Sequence, residues 1–208
     1  MNVAVSFNNA KEWSTVLNEY DMAPTQWLPS TNAMPYRITG SGVYQLPFGK
    51  GRTFWKEGIP NIIAGGWQIA GTYEQQPGPL LSWGNLFFYG NIDDIKKGGH
   101  TLTQWFNINA GFERDPAKVP TTFQARLFPT VIDGLRRDKT QLFNASVQKS
   151  IPITEKLRFQ FGMNAINVLN RSHFQAPGLD PTSTTFGVIS ANSATACRWL
   201  TIVAKITF

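Results

Sequence analysis

The sequence predicts an all-β fold built on an antiparallel sheet, and three observations lead there. Apolar and polar residues alternate with period two in five segments of strand length. The 18 Gly and 13 Pro interrupt the chain too often for long helices. Hydrophobic residues make up 42% and aromatic residues 13%, more than a solvated coil keeps. Yet no stretch approaches the ~20 continuous apolar residues of a spanning helix.

The first strand is expected over Tyr36–Leu46. Ile38, Gly40, Gly42, Tyr44 and Leu46 share one face, and Arg37, Thr39, Ser41, Val43 and Gln45 the other, with Val43 the one exception to polarity. Pro47-Phe48-Gly49-Lys50-Gly51-Arg52 then forces a turn, since Pro removes a ladder donor and glycine permits positive φ. A second strand is expected from about Ile63 to Glu74, ended by Gln75-Gln76-Pro77-Gly78-Pro79. Residues 75–139 read as a long loop region, with short alternating pieces near 80–89 and 101–110 that allow a hairpin. Regularity returns at Leu142–Lys149, followed by a turn at Ile151-Pro152-Ile153-Thr154-Glu155.

The clearest strand sets Leu157, Phe159, Phe161, Met163 and Ala165 against Arg158, Gln160, Gly162, Asn164 and Ile166. Residues 168–196 are rich in Asn, Ser, Thr, Pro and Gly and read as a second long loop. The last strand, Trp199–Phe208, alternates to the final residue, whereas the last residues of soluble domains usually fray.

Strands of 9–11 residues match the length that crosses a hydrocarbon core at a tilt of about 45°. Short turns after Leu46 and Lys149 alternate with long loops after Glu74 and Asn167, so like connections share a rim. That asymmetry belongs to transmembrane β-barrels with short periplasmic turns and long extracellular loops. A charged fraction of 15%, against roughly 25% in soluble domains, agrees with one face of each strand meeting lipid. The competing architecture is a soluble β-sandwich, whose strands also alternate. Five strands are too few to close a barrel, and an open sheet in lipid leaves unpaired edges, so a segment of a larger barrel is expected.

Several motifs resemble those of one family. Tyr44-Gln45-Leu46-Pro47-Phe48-Gly49-Lys50-Gly51-Arg52, then Gly65-Gly66-Trp67-Gln68-Ile69-Ala70-Gly71, then Gly78-Pro79-Leu80, resemble a series found in TonB-dependent outer-membrane receptors of the Oar-like type. Leu157–Phe161, Asn164–Phe174, Phe186-Gly187-Val188-Ile189 and the terminal Phe208 extend the likeness over roughly residues 15–208. Gly162-Met163-Asn164 and Cys197-Arg198 depart from the family's usual residues without disturbing the alternation.

The resemblance implies the C-terminal part of a barrel of about 22 strands, in the outer membrane of a Gram-negative bacterium. The signal peptide, the plug and the other N-terminal domains are expected to be absent from residues 1–208, and the start MNVAVSFNNAKEW lacks the features of a signal peptide. Residues 75–139 and 168–196 are then expected outside the cell. The implied partners are outer-membrane lipid, the barrel-assembly machinery, an unknown ligand and, only through the plug, the TonB energy-coupling complex. Ligand uptake is expected only of the full-length parent. A soluble β-rich ligand-binding module and a small self-contained outer-membrane barrel are the alternatives.

The resemblance also implies that Ile202, Ala204, Ile206 and Phe208 form the terminal signal read by the assembly machinery, through edge-strand pairing. Trp83, Phe87, Phe88, Tyr89, Trp105 and Phe106 offer rings on which a ligand can stack. The same rings suit a membrane-rim girdle or packing within the loops.

Catalysis finds no support. His100 and His173 form no i, i+4 pair, and Gly49-Lys50-Gly51 has neither the upstream glycine nor the following Ser/Thr of a phosphate loop. Asp93-Asp94 and Glu113/Asp115 sit in polar loops with no fixed separation. The single Cys197 excludes an intrachain disulfide and sites built on several thiolates. The excess of 19 Lys+Arg over 13 Asp+Glu gives +6, but the cations form no stripe for nucleic acid. Asn170-Arg171-Ser172 fits a glycosylation sequon that short sequences meet by chance. No enzyme activity, cofactor or metal is expected.

Overall fold

Period-two alternation makes two usable faces only if neighbouring strands hold the same register. The computed structural model, which describes residues 1–14, 17–18, 26–121, 123–191 and 197–208, shows that register. In chain order the elements are β1 (Asn2–Phe7), β2 (Lys11–Ser14), β3 (Gln26–Pro29), β4 (Tyr36–Gln45), α1 (Gly58–Ala64), β5 (Trp67–Gln76), β6 (Leu80–Ser82), α2 (Ile92–Ile95), β7 (Val131–Arg136), β8 (Thr140–Pro152), β9 (Arg158–Ile166) and β10 (Trp199–Thr207). Six of them form one antiparallel sheet in the order β1-β4-β5-β8-β9-β10. Each strand pairs with the next long strand along the chain, the up-and-down pattern of a barrel wall. The sheet is open, with β1 and β10 at its edges.

The pairing aligns every apolar half-strand. Gly42 lies opposite Gly71, Gly71 opposite Ala145, Ala145 opposite Ala165, and Ala165 opposite Leu200. One row along, Tyr44, Ile69, Val147, Met163 and Ile202 line up in the same way. One face is therefore apolar across its middle from Val3 and Val5 of β1 to Ile206 of β10, with Lys149 towards one rim and Gln75 and Gln141 towards the other. The other carries Thr39, Ser41, Thr72, Glu74, Asn144, Ser146, Gln160 and Asn164. Val3, Tyr44, Ile69, Phe161, Met163, Leu200, Ile202 and Ile206 are all exposed. No described protein segment covers them, a state a water-soluble sheet does not sustain.

The expected elements shift in several places. A sixth strand, β1, joins the sheet through Val5 opposite Ile38 and Val3 opposite Gly40. The second strand begins at Trp67 rather than near Ile63, because Gly58–Ala64 winds into α1, and it runs on to Gln76. The connection after Leu46 is thus not a short turn but spans 46–66. The strand expected at Leu142–Lys149 reaches Thr140 and Pro152. The connection 153–157 remains short. The opposite rim carries the three long connections 8–35, 77–139 and 167–198.

Residues 75–139, expected as loop, hold most of the hydrophobic core. Leu81, Trp83, Leu86, Ile95, Trp105, Phe106, Phe112, Phe128, Ile132 and Leu135 cluster there, joined by Phe186 and Ile189 from the other long connection. Thr122 and residues 192–196, which belong to the two expected loops, lie outside the described residues. Rings do most of the packing. Trp83 stacks on Phe112 at 5.6 Å and meets Phe106 and Phe128 edge-on at 5.0 and 5.4 Å, while Phe186 closes on Phe112 at 4.9 Å. Each such pair contributes about 0.5–1.5 kcal/mol beyond area burial.

Backbone bonds lock the three connections into one cap. The Leu80 N–H donates to Thr31 O at 3.0 Å, Trp105 N–H to Gly187 O at 2.8 Å and Ile189 N–H to Leu102 O at 2.8 Å. The Arg136 guanidinium reaches Ala33 O at 2.7 Å and Gly78 O at 3.2 Å.

Because Phe106 is fully buried among these rings, Phe106→Ala is expected to destabilise the cap by about 3–5 kcal/mol. Limited proteolysis of membrane-embedded protein checks this. New cleavage should fall within 77–139 and 167–198 while the strands stay protected.

Candidate functional site

The cap meets the sheet at Asn167, the residue after β9. Its φ of 52° lies in the left-handed region, which Asn tolerates better than most residues. Its side chain is fully buried and spans the turn that follows: Nδ2 donates to Arg171 O at 2.9 Å, and Oδ1 accepts from Arg171 N–H at 3.0 Å. Its own N–H donates to Asn144 Oδ1 at 3.0 Å, across the β8–β9 pair. The Arg171 guanidinium then binds Gln141 and lies 3.5 Å from Asp138, whose other carboxylate oxygen accepts from Phe174 N–H at 3.3 Å. Gln141 in turn donates to the Tyr73 hydroxyl at 3.1 Å, and that hydroxyl donates to Gln75 at 2.5 Å. The polar residues of the Asn164–Phe174 motif thus form a hinge joining β5, β8 and β9 to the cap. The sequence flagged the motif but offered no sign of this role.

The six loop aromatics divide. Trp83, Trp105 and Phe106 are buried in the cap, and Phe87 and Phe88 are partly buried. The three buried rings pack within the hydrophobic cluster of the cap. Tyr89, 73% exposed, is the one ring of the set that stands open. The Trp105 indole N–H donates to Arg136 O at 2.7 Å, whereas Trp83 Nε1 has no partner among the described residues. His100 packs edge-on to Trp105 at 5.4 Å, a structural contact.

Arg126 was not singled out from the sequence. Its guanidinium donates to the carbonyls of Trp83, Gly84, Phe128 and Pro129 at 2.6–3.3 Å, stitching the end of β6 to the approach to β7. Its backbone exchanges two bonds with the Asn18 side chain. Partial burial lowers its pKa from the ordinary arginine value, and it stays a cation. On α2, Lys97 pairs with Asp94 at 2.6 Å, and that hydrogen bond, then the charge of Asp94, raises the lysine pKa. Asp93 and Asp94 thus serve ion pairs on a surface helix. No cluster of three or more metal-ligating side chains exists among the described residues.

The polar face of the sheet carries a shallow depression of about 240 Å³ near the cap, lined by Asn2, Thr39, Ser41, Thr72, Glu74 and Asn144. Arg37 and Glu74 pair there at 3.0 Å. Its hydroxyls, amides and carboxylate stand beside the apolar Ala4 and Leu142, so the depression is mixed in character.

Ile202, Ala204 and Ile206 lie along the outermost strand on the apolar face, and Phe208 follows its last residue, almost fully exposed. The backbone groups on the outer side of β10 have no strand partner among the described residues.

A largely apolar face opposite a polar one, strands of spanning length, and a rim of shorter connections opposite a rim of long ones define an outer-membrane β-barrel protein. Comparison with protein families agrees: the model described as "Outer membrane beta barrel domain" matches residues 1–201, so the chain belongs to that family. The protein resides in the outer membrane, and the soluble sandwich is set aside. No curated protein and no solved structure matches the chain.

The hinge gives an ordered prediction. Asn167→Ala removes two side-chain bonds to buried backbone groups and also strains the left-handed backbone, for about 3 kcal/mol in all. Asn167→Gly keeps the backbone conformation and should lose less. Urea unfolding midpoints in detergent or vesicles should rank wild type, Gly, then Ala.

Proposed function

We propose that this chain is the C-terminal barrel portion of a TonB-dependent receptor of the Oar-like type, a non-enzymatic component of ligand uptake that works only within the full-length parent. The observation that carries the reading is the open sheet. Six strands with two unpaired edges leave backbone donors and acceptors facing hydrocarbon, at several kcal/mol for each unsatisfied group. Further strands must cover those edges.

The residues behind the resemblance support it from a second direction, because they occupy structural positions. Gly49, Gly65 and Gly66 build the short-turn rim. Gly66 has φ 76°, and a Cβ there would stand 2.3 Å from Ser150 O, so no other residue fits without a shift. Asn167 and Arg171 build the hinge, and Phe186 enters the cap core.

In this reading the cap and residues 167–198 face the cell exterior, the polar face lines the lumen and contacts the plug, and the plug alone contacts TonB. Lipid surrounds the apolar face. The ligand enters from outside, past the exposed surface of the cap. The unpaired outer edge of β10, with Ile202, Ala204, Ile206 and Phe208, is what the barrel-assembly machinery pairs with during insertion.

Two measurements test this. An antibody raised against the chain should detect, in isolated outer membranes, a polypeptide far larger than 23.2 kDa. A band at that mass alone favours a small self-contained barrel and contradicts the receptor reading. Deleting Phe208 from the parent should reduce the amount assembled in the outer membrane several-fold, and unchanged assembly removes the terminal-signal role.

A further inference from the structure

The connection 46–66, at the same rim as the short turn 153–157, presents a group of exposed apolar side chains that the sheet does not explain. In α1, Ile59, Ile62 and Ile63 are 71, 67 and 65% exposed, and no residue of the helix is buried. Phe54 and Trp55 are also exposed just before it, Trp55 stacked on Phe48 at 4.8 Å.

The C-terminal end of the helix is tied to the apolar face of the sheet. The Trp67 indole N–H donates to Ile63 O at 2.9 Å, and Lys149 Nζ donates to Ile62 O and Ile63 O at 2.5 and 2.6 Å. Trp67 and Lys149 lie opposite each other in the β5–β8 pair, in the same lipid-facing set as Ile69 and Val147, with the ammonium 5.4 Å from the indole centroid. A lysine on the last carbonyls of a helix satisfies them and complements the helix dipole. It therefore fixes the helix end at the edge of the lipid face rather than over the lumen. The glycine turn holds the middle of the helix and the same end: Lys50 N–H donates to Asn61 Oδ1 at 2.9 Å, and Gly49 packs too closely on the C-cap Gly65 to carry a side chain.

Charge selects the occupant. The connection carries Lys50, Arg52 and Lys56 against Glu57 alone. Among the described residues none of these cations forms an ion pair with a carboxylate. Exposed Ile and Trp beside unpaired cations, at the rim of a lipid-facing sheet, match an interfacial membrane-binding element. The short-turn rim of such barrels is periplasmic, so the surface it meets is the phospholipid leaflet on that side.

We propose that residues 48–66 form a membrane foot. Phe54, Trp55, Ile59, Ile62 and Ile63 lie in the headgroup–acyl boundary of the periplasmic leaflet, and Lys50 and Lys56 bind anionic phospholipid headgroups. The foot sets the depth and tilt of the wall at β4, β5 and β8. This rests on the outer-membrane location and not on the receptor reading.

The test uses the full-length protein extracted from outer membranes, with Cys197→Ser and one new cysteine, Ile59→Cys, Ile62→Cys or Met163→Cys, carrying an environment-sensitive fluorophore. Each is returned to vesicles of phosphatidylcholine, alone or mixed with phosphatidylglycerol, and exposed to bromolipid or to aqueous iodide. Labels at 59 and 62 should be quenched by bromolipid and shielded from iodide, more so with phosphatidylglycerol. Lys50→Glu with Lys56→Glu should remove that gain, at roughly fivefold in the insertion equilibrium for each lysine. Heat-modifiable migration shows that the variants remain folded.

Iodide access at 59 and 62 while the Met163 label stays in lipid overturns the foot and leaves the face to a periplasmic protein. Equal insertion in the two lipids overturns the anionic contact. Iodide access at 163 as well overturns the lipid-facing assignment of the sheet, and the foot with it.

Discussion

Everything in this molecule follows from the pairing of backbone groups in a medium without water. Inside a bilayer no solvent can satisfy an orphan N–H or C=O, so a spanning strand must be hydrogen-bonded on both sides. The ladder from β1 through β4, β5, β8 and β9 to β10 meets that demand where neighbours overlap on both sides, as at Ala145–Lys149 of β8, which pair with β5 and β9 alike. Side chains are then free to obey the two solvents they meet. Residues such as Met163 and Ile202 suit lipid, and their neighbours Asn164 and Thr201 suit water. The same constraint makes the two open edges the least stable feature of the sheet.

It also explains where the packed core sits. A soluble sheet buries its apolar face against protein, but in an outer-membrane barrel that face is turned to the bilayer, and no described segment covers either face of this sheet. The core that does exist lies beyond the rim, in the cap, where the chain is in water and must bury Trp83, Phe106, Phe112, Phe128 and Phe186 against one another. The hinge at Asn167 and Arg171 joins these two regimes. It is polar and fully hydrogen-bonded at the buried Asn167 side chain, which makes the junction directional where apolar contact alone would let it slide.

Much of the sheet was legible because period two is local: Leu157 to Ile166 shows its two faces in ten residues. β1 was missed although Val3, Val5 and Phe7 alternate, because six residues carry too little signal alone and its pairing with β4 is what confirms it. The cap was illegible for a different reason. Its rings come from residues as distant as Trp83 and Phe186, on segments with no common period, so burial is decided by long-range contact. α1 was hidden by its length, and by an Ile62-Ile63 pair that reads as the start of the following strand. Of the residues picked out as sites, the terminal strand and Tyr89 stand where a partner can reach them. The hinge and Arg126 act through backbone carbonyls that no side-chain pattern announces.

The central claim is that the face bearing Leu200, Ile202, Ala204 and Ile206 meets lipid while the alternate residues meet water. The most direct measurement is a nitroxide scan of β10 in the membrane-embedded protein, one label per residue from 199 to 207, comparing accessibility to oxygen with accessibility to an aqueous nickel complex. Oxygen access should peak at 200, 202, 204 and 206, and nickel access at 201, 203, 205 and 207. A profile without period two, or one in the opposite phase, would contradict the account.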